Sequence, residues 1–252
     1  MILLVNAANR AAFPDLLDAL FRARHEVFVE FKGWEDLRRP DGREVDAFDR
    51  DDTAYLIAVE DGRVLAGARL NGAAAETLAE TILPELFEGD PLRADDVLEI
   101  SRLFARPVLN LAGDLDTPMR EVLIAGAEFT RLTGARGVVM IAHLHLAQAM
   151  LTWGATIEPL GLPRRTRDGL LVAVMSHLSA SAVRNLRKGR GSGGPVLRWA
   201  DGPEDPPRTV ADILRIDPLH PDWAAPGDWT PLQRAALSPY ELAEAYWGPR
   251  MV

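Results

Sequence analysis

The stretch that decides the fold is Val97-Leu98-Glu99-Ile100-Ser101-Arg102-Leu103-Phe104, a strand-like run between an acidic turn and Pro107. It carries Glu99 and Arg102 among apolar neighbours, so charged side chains are embedded in a strand of the core. Burying an unpaired charge costs several kcal/mol or more, and such groups persist only where they pair with one another. The stretch therefore predicts a core strand that carries part of a buried charge network.

More charged and aromatic residues precede this strand, at spacings that solubility alone does not require. They are Arg24, Phe28, Trp34, Glu44, Asp46, Asp49 and Arg69. Arg24 and Phe28 are four residues apart on an amphipathic pattern over about 15–31, which predicts that they share the inner face of a helix. A buried ion pair rarely improves stability over an apolar substitute, so the set indicates a functional site. A purely structural ion-pair network is the alternative.

The same residues carry a family resemblance. The chain resembles the acyl-homoserine-lactone synthases, the LuxI-type autoinducer synthases, in the order and spacing of its separated polar and aromatic positions. The matching segments are Arg24-His25-Glu26-Val27-Phe28, Trp34, Glu44-Val45-Asp46-Ala47-Phe48-Asp49, Tyr55-Leu56, Gly67-Ala68-Arg69-Leu70 and Glu99-Ile100-Ser101-Arg102. The resemblance covers about residues 1–180. It implies an α/β fold of the αβα-sandwich type, the twisted mixed sheet with helices on both faces of the GCN5-related N-acetyltransferases.

The resemblance also implies an activity. Such an enzyme transfers an acyl group from a thioester on acyl carrier protein or coenzyme A to the amine of S-adenosylmethionine. Lactone closure then expels methylthioadenosine, and the product is a quorum-sensing signal. S-adenosylmethionine is a cosubstrate, and no cofactor is expected. Two alternatives stay open: an N-acyltransferase of the same fold that acts on another amine, and a non-catalytic relative that only binds the cosubstrate.

By similarity, the cosubstrate site comprises Arg24, Phe28, Trp34, Asp46, Asp49, Arg69 and Arg102. These residue types suit the ligand, because arginine binds a carboxylate, carboxylates hold an amine or sulfonium, and aromatic rings cover an adenine. The predicted catalytic residues are Glu99, Asp46 and Arg102, with Glu99 the first choice of base and Asp46 the second. Ser101 is expected to be a hydrogen-bonding partner, since no histidine base is paired with it. Backbone N–H groups from a splayed pair of strands would stabilise the developing oxyanion.

Departures from the family pattern bear on the acyl pocket, for which we predict Leu83, Met140, Ala142 and His143. Where many relatives continue with a Pro-Thr step, this chain has Asn71-Gly72-Ala73. Leu83 replaces a common phenylalanine, and the strand over 137–142 lacks the threonine that accompanies 3-oxo chains in some relatives. An unsubstituted or unusual acyl group is favoured.

Composition excludes several other classes. The 252 residues contain no cysteine, which excludes disulfides, thiolate metal sites and cysteine nucleophiles. No metal is predicted, because His143 and His145 lack an evident third ligand. The net charge of −9 argues against nucleic-acid binding and would repel the acidic acyl carrier protein, unless a local basic patch intervenes. Two clusters are candidates: Arg164, Arg165 and Arg167, and Arg184, Arg187, Lys188 and Arg190. No membrane span or secretory signal is evident, so a cytoplasmic location is predicted.

Periodicity predicts helices near 15–31, 116–133 and 144–153 and strands near 54–60, 63–70, 97–104, 137–142, 155–160 and 169–177. We predict a catalytic domain over 1–185, a Gly/Arg-rich linker over 186–195 and a C-terminal extension over 196–252. The extension region holds four of the six tryptophans and is rich in proline. That much apolar surface predicts docking on the core or on a partner in a homodimer. Thr209 and Thr230 are its predicted helix N-caps.

Overall fold

Ten strands and eight α-helices make up the part of the chain that the computed structural model describes, namely residues 1–90, 92–106, 117–152, 154–177, 179–188 and 194–248. The strands are β1 (Ile2–Val5), β2 (Ala54–Glu60), β3 (Arg63–Gly72), β4 (Val97–Ala105), β5 (Gly137–His143), β6 (Thr156–Pro159), β7 (Arg164–Thr166), β8 (Gly169–His177), β9 (Leu197–Trp199) and β10 (Arg208–Thr209). The helices are α1 (Pro14–His25), α2 (Leu78–Ile82), α3 (Thr117–Thr133), α4 (Leu144–Thr152), α5 (Ala180–Lys188), α6 (Val210–Leu214), α7 (Pro231–Ala235) and α8 (Pro239–Trp247). A π-helical segment, Glu26–Phe31, continues α1.

The strands form one mixed sheet in the order β10-β9-β1-β2-β3-β4-β5-β8-β6, with β7 paired to β8 outside this order. β1 to β4 are antiparallel neighbours, whereas β4 and β5 run parallel on either side of the crossover that contains α3. A parallel pair needs such a crossover, because its strands cannot be joined by a tight hairpin. The charged strand over 97–105 therefore lies inside the sheet, between β3 and β5.

Helices cover both faces of the sheet, as the sequence predicts. Side chains alternate along each strand, so neighbouring residues pack on opposite layers. On β2, Leu56 belongs to the core that includes α3, α4 and α5, whereas Ile57 packs with α1. This arrangement is an αβα sandwich. Within the described ranges, every helix is too short or too polar to cross a membrane.

Most of the predicted elements match observed ones to within a few residues, including β2, β4 and α3. The elements that the sequence did not predict include β1, α2, α5 and the short strands β7, β9 and β10. β1 is buried at every position and so has no polar alternation to mark it as a strand. α2 is five residues long, too short for a helical period to show. Pro107 and residues 189–193 of the predicted linker, with Arg190, lie outside the described residues.

The C-terminal segment packs on the rest of the chain. β9 extends the sheet by pairing parallel with β1, and its Trp199 is buried in the main core. Thr209 and Thr230 cap α6 and α7 by accepting hydrogen bonds from backbone N–H groups, so both predicted N-caps are confirmed. The division of the chain into a domain, a linker and an extension stays a prediction.

Gly72 shows why one family departure matters. It ends β3 at the place where α7 crosses the sheet, and an added Cβ would lie 2.8 Å from a methyl carbon of Leu232. A side chain there would force Leu232 away, so glycine permits the close approach of α7. The neighbouring Asn71 is buried and donates its amide to the carbonyl of Phe48.

Candidate active site

A β-bulge between β3 and β4 shapes the centre of the candidate site. The pairing register shifts between Gly67 and Arg69, and Arg102 on β4 has φ of +51°. A left-handed backbone is rare for a non-glycine residue, and such strain clusters at functional sites. Beside the bulge, Arg69 Nε donates to Ser101 Oγ over 3.1 Å. The predicted role of Ser101 as a hydrogen-bonding partner is confirmed.

Arg24 lies at the buried end of the charge network. Its Nε donates to Glu44 over 2.5 Å, and its two terminal nitrogens donate to the two oxygens of Asp49 over 2.7 and 3.0 Å. All three side chains are about 1% exposed. Burial alone would lower the pKa of Arg24, but the charges of Glu44 and Asp49 raise the pKa above its ordinary value. The guanidinium therefore remains charged inside the fold.

Asp46 joins the two strand arginines at the open end of the network. Arg69 Nη1 donates to one of its oxygens over 2.5 Å, and Arg102 Nη2 donates to the other over 2.8 Å. Arg102 Nε also donates to Glu44 over 3.1 Å, which closes the connection to Arg24. The Asp46 and Arg102 side chains are 18% and 9% exposed, so the network reaches the surface here. Arg69 Nη2 is buried and finds no hydrogen-bond partner among the described residues.

An aromatic pair flanks this open end. Phe28 and Trp34 stack with their ring centroids 5.1 Å apart and their planes 14° from parallel. The Arg102 guanidinium lies 5.7 Å from the centre of the Phe28 ring, and the Lys32 amine lies 5.1 Å from the centre of the Trp34 ring. Trp34 Nε1 donates to Asp168 over 2.8 Å, which fixes the indole against the loop before β8.

Glu99 lies apart from the arginine network. The side chain is completely buried and accepts backbone N–H groups from Leu78 and Ala79, over 3.2 and 2.8 Å, at the start of α2. Burial raises the pKa of Glu99, and the two N–H donors only partly offset the effect. Glu99 thus combines a fixed position with increased basicity.

The neighbouring strands β4 and β5 part beside Glu99. They pair over Val97–Glu99 and Gly137–Val139, and no later pair joins them within the described parts of both strands. Beyond that point β5 pairs with β8 on its other side as far as His143. Beyond that point the facing backbone groups of β4 and β5 are not paired with each other in the described strands.

An apolar cavity of about 30 Å³ lies on the other face of the sheet, against α3, α4 and α5. Its lining residues are Leu70, Ile100, Leu123, Gly126, Ala127, Val138, Met140, Met150, Ala155, Ala182 and Leu186. Of the predicted acyl-pocket residues, Met140 lines this cavity and Ala142 lies buried in the same core. Leu83 instead packs with the small cluster around Leu86.

His143 lies on the opposite face of the sheet from Met140, because successive residues of β5 face opposite layers. Its ring stacks on His145 with centroids 5.2 Å apart. Burial and the neighbouring His145 and Lys32 lower the pKa of His143, which favours the neutral imidazole. Among the described residues, no group of three or more His, Asp or Glu side chains is arranged to hold a metal.

Comparison with known proteins gives this site a family. The family model for autoinducer synthases matches residues 10–186, which include every predicted site residue. The chain belongs to the autoinducer synthase family. Its members that match here are acyltransferases that make acyl-homoserine lactones, and the reaction class predicted from the sequence is confirmed.

Relatives of this autoinducer synthase agree in sequence and in structure. The isovaleryl-homoserine lactone synthase of Bradyrhizobium diazoefficiens is 32% identical over 209 residues, which cover 81% of this chain and 90% of that protein. An acyl-homoserine-lactone synthase of Acinetobacter nosocomialis is 31% identical over 165 residues, or 62% of this chain and 89% of that protein. The CoA-dependent synthase BjaI, solved with SAM and isopentyl-CoA, has a TM-score of 0.71 at 30% identity and covers 81% of this chain and 94% of its own.

The structure of the synthase brings most of the predicted site residues together. Arg24, Asp46, Asp49, Arg69 and Arg102 form one network, with Phe28 and Trp34 at its open end. Glu99 lies apart from this network and is held by α2. The assignment of these residues to substrate atoms stays a prediction, which we develop below.

Two residues of the synthase site were not assigned a role from the sequence. Tyr55 donates its hydroxyl to Asp49 over 3.0 Å, and burial beside that carboxylate raises the pKa of Tyr55, so the phenol stays protonated. Its place in the Tyr55-Leu56 segment of the family resemblance was the available signal. Asp168 meets Trp34 across 134 residues of sequence, and no local pattern indicates that contact.

Proposed function

We propose that this synthase binds S-adenosylmethionine between the Phe28–Trp34 pair and the arginine network, and acylates its amine with a short acyl group from coenzyme A. The observation that carries the proposal is Arg69, whose buried Nη2 has no hydrogen-bond partner in the described part of the chain, while Nη1 donates to Asp46. A buried donor left unsatisfied costs about 1–3 kcal/mol. A substrate carboxylate that accepts from Nη2 would recover this energy.

The remaining groups at the open end match the rest of the cosubstrate. Asp46 presents negative charge near the surface, which suits a sulfonium or an amine. Trp34, partly exposed and stacked on the buried Phe28, offers an aromatic ring to an adenine, and aromatic faces also attract cations such as a sulfonium. The site thus contains groups complementary to the carboxylate, the cationic centre and the base.

Glu99 is the proposed general base. The ammonium of the cosubstrate has no lone pair, so it must lose a proton before it attacks. A raised pKa makes the Glu99 carboxylate a better proton acceptor near neutrality. Asp49 is a poor alternative: burial would raise its pKa, but Arg24 and Arg69 lower the pKa to about 2. Asp46, the second choice from the sequence, has both oxygens engaged by arginines.

The reaction then has two steps. The freed amine attacks the thioester carbonyl, an amide C–N bond forms, the C–S bond breaks, and the coenzyme A thiolate leaves and takes up a proton. Unpaired N–H groups where β4 and β5 part would stabilise the oxyanion of the intermediate. In the second step the substrate carboxylate attacks the carbon bonded to the sulfonium, the C–S bond breaks, and methylthioadenosine leaves as the lactone closes.

The apolar cavity is the proposed acyl site. The parted strands connect the two layers, because Glu99 faces one side while Ile100 and Met140 line the cavity on the other. An acyl chain that enters between β4 and β5 reaches this cavity with its carbonyl beside Glu99. The small volume of about 30 Å³ favours a short chain.

Coenzyme A is the proposed acyl carrier for two reasons. BjaI and MesI, which both match with a TM-score of 0.71, are CoA-dependent synthases at 30% and 28% identity. The net charge of −9 opposes the docking of an acidic carrier protein. Within the second basic cluster, Arg187 is not available at the surface, because it is 3% exposed and paired with Glu128. Arg167 is exposed, lies 5.9 Å from the centre of the Trp34 ring, and carries a charge that suits the phosphates of coenzyme A.

A donor comparison tests the proposal. The purified chain is given S-adenosylmethionine with isovaleryl, butanoyl or octanoyl groups, each supplied as the CoA thioester and on acyl carrier protein, and methylthioadenosine release is measured. We expect turnover with the short CoA thioesters and a kcat/KM at least about tenfold lower on carrier protein, the ratio that corresponds to 1.4 kcal/mol. A preference for carrier protein would overturn the donor assignment. Dimerisation through the C-terminal segment and a cytoplasmic location remain predictions.

A further inference from the structure

A second buried charge cluster lies outside the active site and joins three separate segments. Arg187 on α5 donates to Glu128 on α3 over 2.9 Å, and to both oxygens of Asp217 over 2.6 and 3.2 Å. The Arg187 and Glu128 side chains are 4% and 3% exposed, and Asp217 is 32% exposed. Asp217 follows α6 in the C-terminal segment, so the cluster ties that segment to two helices of the core.

The C-terminal segment holds the same helices at further points. Glu128 accepts backbone N–H groups from Val196 and Leu197, over 2.9 to 3.1 Å, at the start of β9. Near the end of α3, Trp223 Nε1 donates to the carbonyl of Arg131 over 3.1 Å. α3 and α5 are thus held from outside by residues that follow position 186, where the family match ends.

These two helices are also walls of the apolar cavity. α3 contributes Leu123, Gly126 and Ala127, and α5 contributes Ala182 and Leu186. The two charged residues that these helices contribute to the cluster each directly follow a lining residue: Glu128 follows Ala127, and Arg187 follows Leu186. Because Arg187 and Leu186 are adjacent on α5, a shift of Arg187 also shifts Leu186. The separation of α3 and α5 therefore depends on the hydrogen bonds between Arg187 and its partners.

We propose that the C-terminal segment is a brace that sets which acyl chains the enzyme accepts, with Asp217 as its positioning residue. The inference rests on the proposed acyl role of the cavity. Hydrophobic pockets discriminate a single methylene by about 10–200-fold, so small wall movements alter chain selectivity. With Asp217 in place, α5 is held against α3 and the cavity stays small. Without it, α5 relaxes outward and longer chains gain access.

The test compares Asp217→Asn with the matched variant Asp222→Asn, whose side chain is 82% exposed on the same segment. For each, kcat/KM is measured with butanoyl-, hexanoyl- and octanoyl-CoA, and the KM for S-adenosylmethionine is measured separately. We expect Asp217→Asn to raise the octanoyl-to-butanoyl ratio by about fivefold or more, with the cosubstrate KM within about twofold of wild type. Asp222→Asn should leave the ratio unchanged. Leu186→Ala, which trims the wall itself, should shift the ratio in the same direction.

A purely structural role gives a different result. If Asp217→Asn lowers the melting temperature but leaves the ratio of the folded enzyme unchanged, the brace is refuted. Should Asp217→Asn fail to fold, Arg187→Lys breaks the same bridge, and an unchanged ratio in that variant refutes the proposal equally. Loss of all turnover in wild type would refute the proposed function and the brace with it, whereas unchanged selectivity in an active variant refutes the brace alone.

Discussion

Arg24 and Asp49 are joined by two parallel hydrogen bonds, 2.7 and 3.0 Å long, in a part of the fold where both side chains are about 1% exposed. Such a bidentate pair fixes the orientation of the guanidinium as well as its charge. Asp49 also accepts a hydrogen bond from the Tyr55 hydroxyl, and its Oδ2 lies 3.1 Å from Nη1 of Arg69. The deep end of the network is thus a rigid support on which the exposed end is built.

The Arg24–Asp49 pair predicts an acid-dependent loss of stability. The pKa of Asp49 falls from an ordinary 3.8 to about 2 in the folded chain, because Arg24 and Arg69 outweigh the effect of burial. A carboxylate with a lowered pKa stabilises the fold above its unfolded value, and this contribution is lost as the pH falls through the folded value. Relative to Asp49→Asn, wild type should lose about 2 kcal/mol of unfolding free energy between about pH 5 and pH 2. Urea unfolding across that range measures the difference, and parallel curves would contradict the assignment.

Replacing Arg69 by lysine should weaken the binding of S-adenosylmethionine more than the binding of the acyl donor. Arg69→Lys keeps the charge near Asp46 but removes the second terminal nitrogen that we assign to the substrate carboxylate. The KM for S-adenosylmethionine should rise by about tenfold or more, with a smaller change in the KM for the acyl donor. Arg63→Lys, at the exposed start of the same strand, is the matched control and should behave as wild type. Equal effects on both substrates would argue for a structural role of Arg69.

Replacing Glu99 by glutamine should lower kcat. Glu99→Gln keeps an oxygen that accepts from Ala79 but cannot take a proton from the substrate amine. General base catalysis contributes typically about 10²–10⁴-fold, so kcat should fall by about that factor while the melting temperature changes little. Glu76→Gln, on the exposed turn before α2, is the control. A kcat within about threefold of wild type would transfer the role of base to another group.

Replacing Gly126 by alanine should stabilise the fold and make the enzyme less active on longer acyl chains. Gly126 lies within α3 and lines the cavity, and an added Cβ would lie 3.5 Å from Ile100 and 3.6 Å from Leu56, which are ordinary contacts. Gly126→Ala should raise the free energy of unfolding by about 0.5–1 kcal/mol, because alanine favours the helix. The same methyl group narrows the cavity, so kcat/KM for hexanoyl-CoA should fall relative to butanoyl-CoA. A stabilised variant with unchanged selectivity would show that acyl chains bind elsewhere.

Local patterns in the sequence predicted six of the strands and the identity of the charged residues, because both leave local signals. Charges within β4 stand out against the apolar alternation of a core strand, and the spacing of Arg24 and Phe28 follows the helical period. The resemblance then placed them in one site. These signals act over a few residues, which is why they survive without knowledge of the fold.

Other features depend on contacts between distant segments and leave no local trace. Trp34 and Asp168 are brought together by the packing of two loops. Glu99 accepts hydrogen bonds from the start of α2, a helix that the sequence did not predict. Arg187 looked like part of a basic surface cluster, but the fold buries it between Glu128 and Asp217. A charged residue in a sequence does not show whether its partner is solvent or another helix.

We propose that this chain couples S-adenosylmethionine to a short acyl-CoA with Glu99 as the base. Mass spectrometry of a reaction with isovaleryl-CoA, run in parallel with wild type and Glu99→Gln, tests it most directly. We predict isovaleryl-homoserine lactone and an equal amount of methylthioadenosine from wild type, and both products at a rate at least about 100-fold lower from the variant. Folded wild type that releases methylthioadenosine without a lactone, or forms an N-acyl product on another amine, would contradict the account.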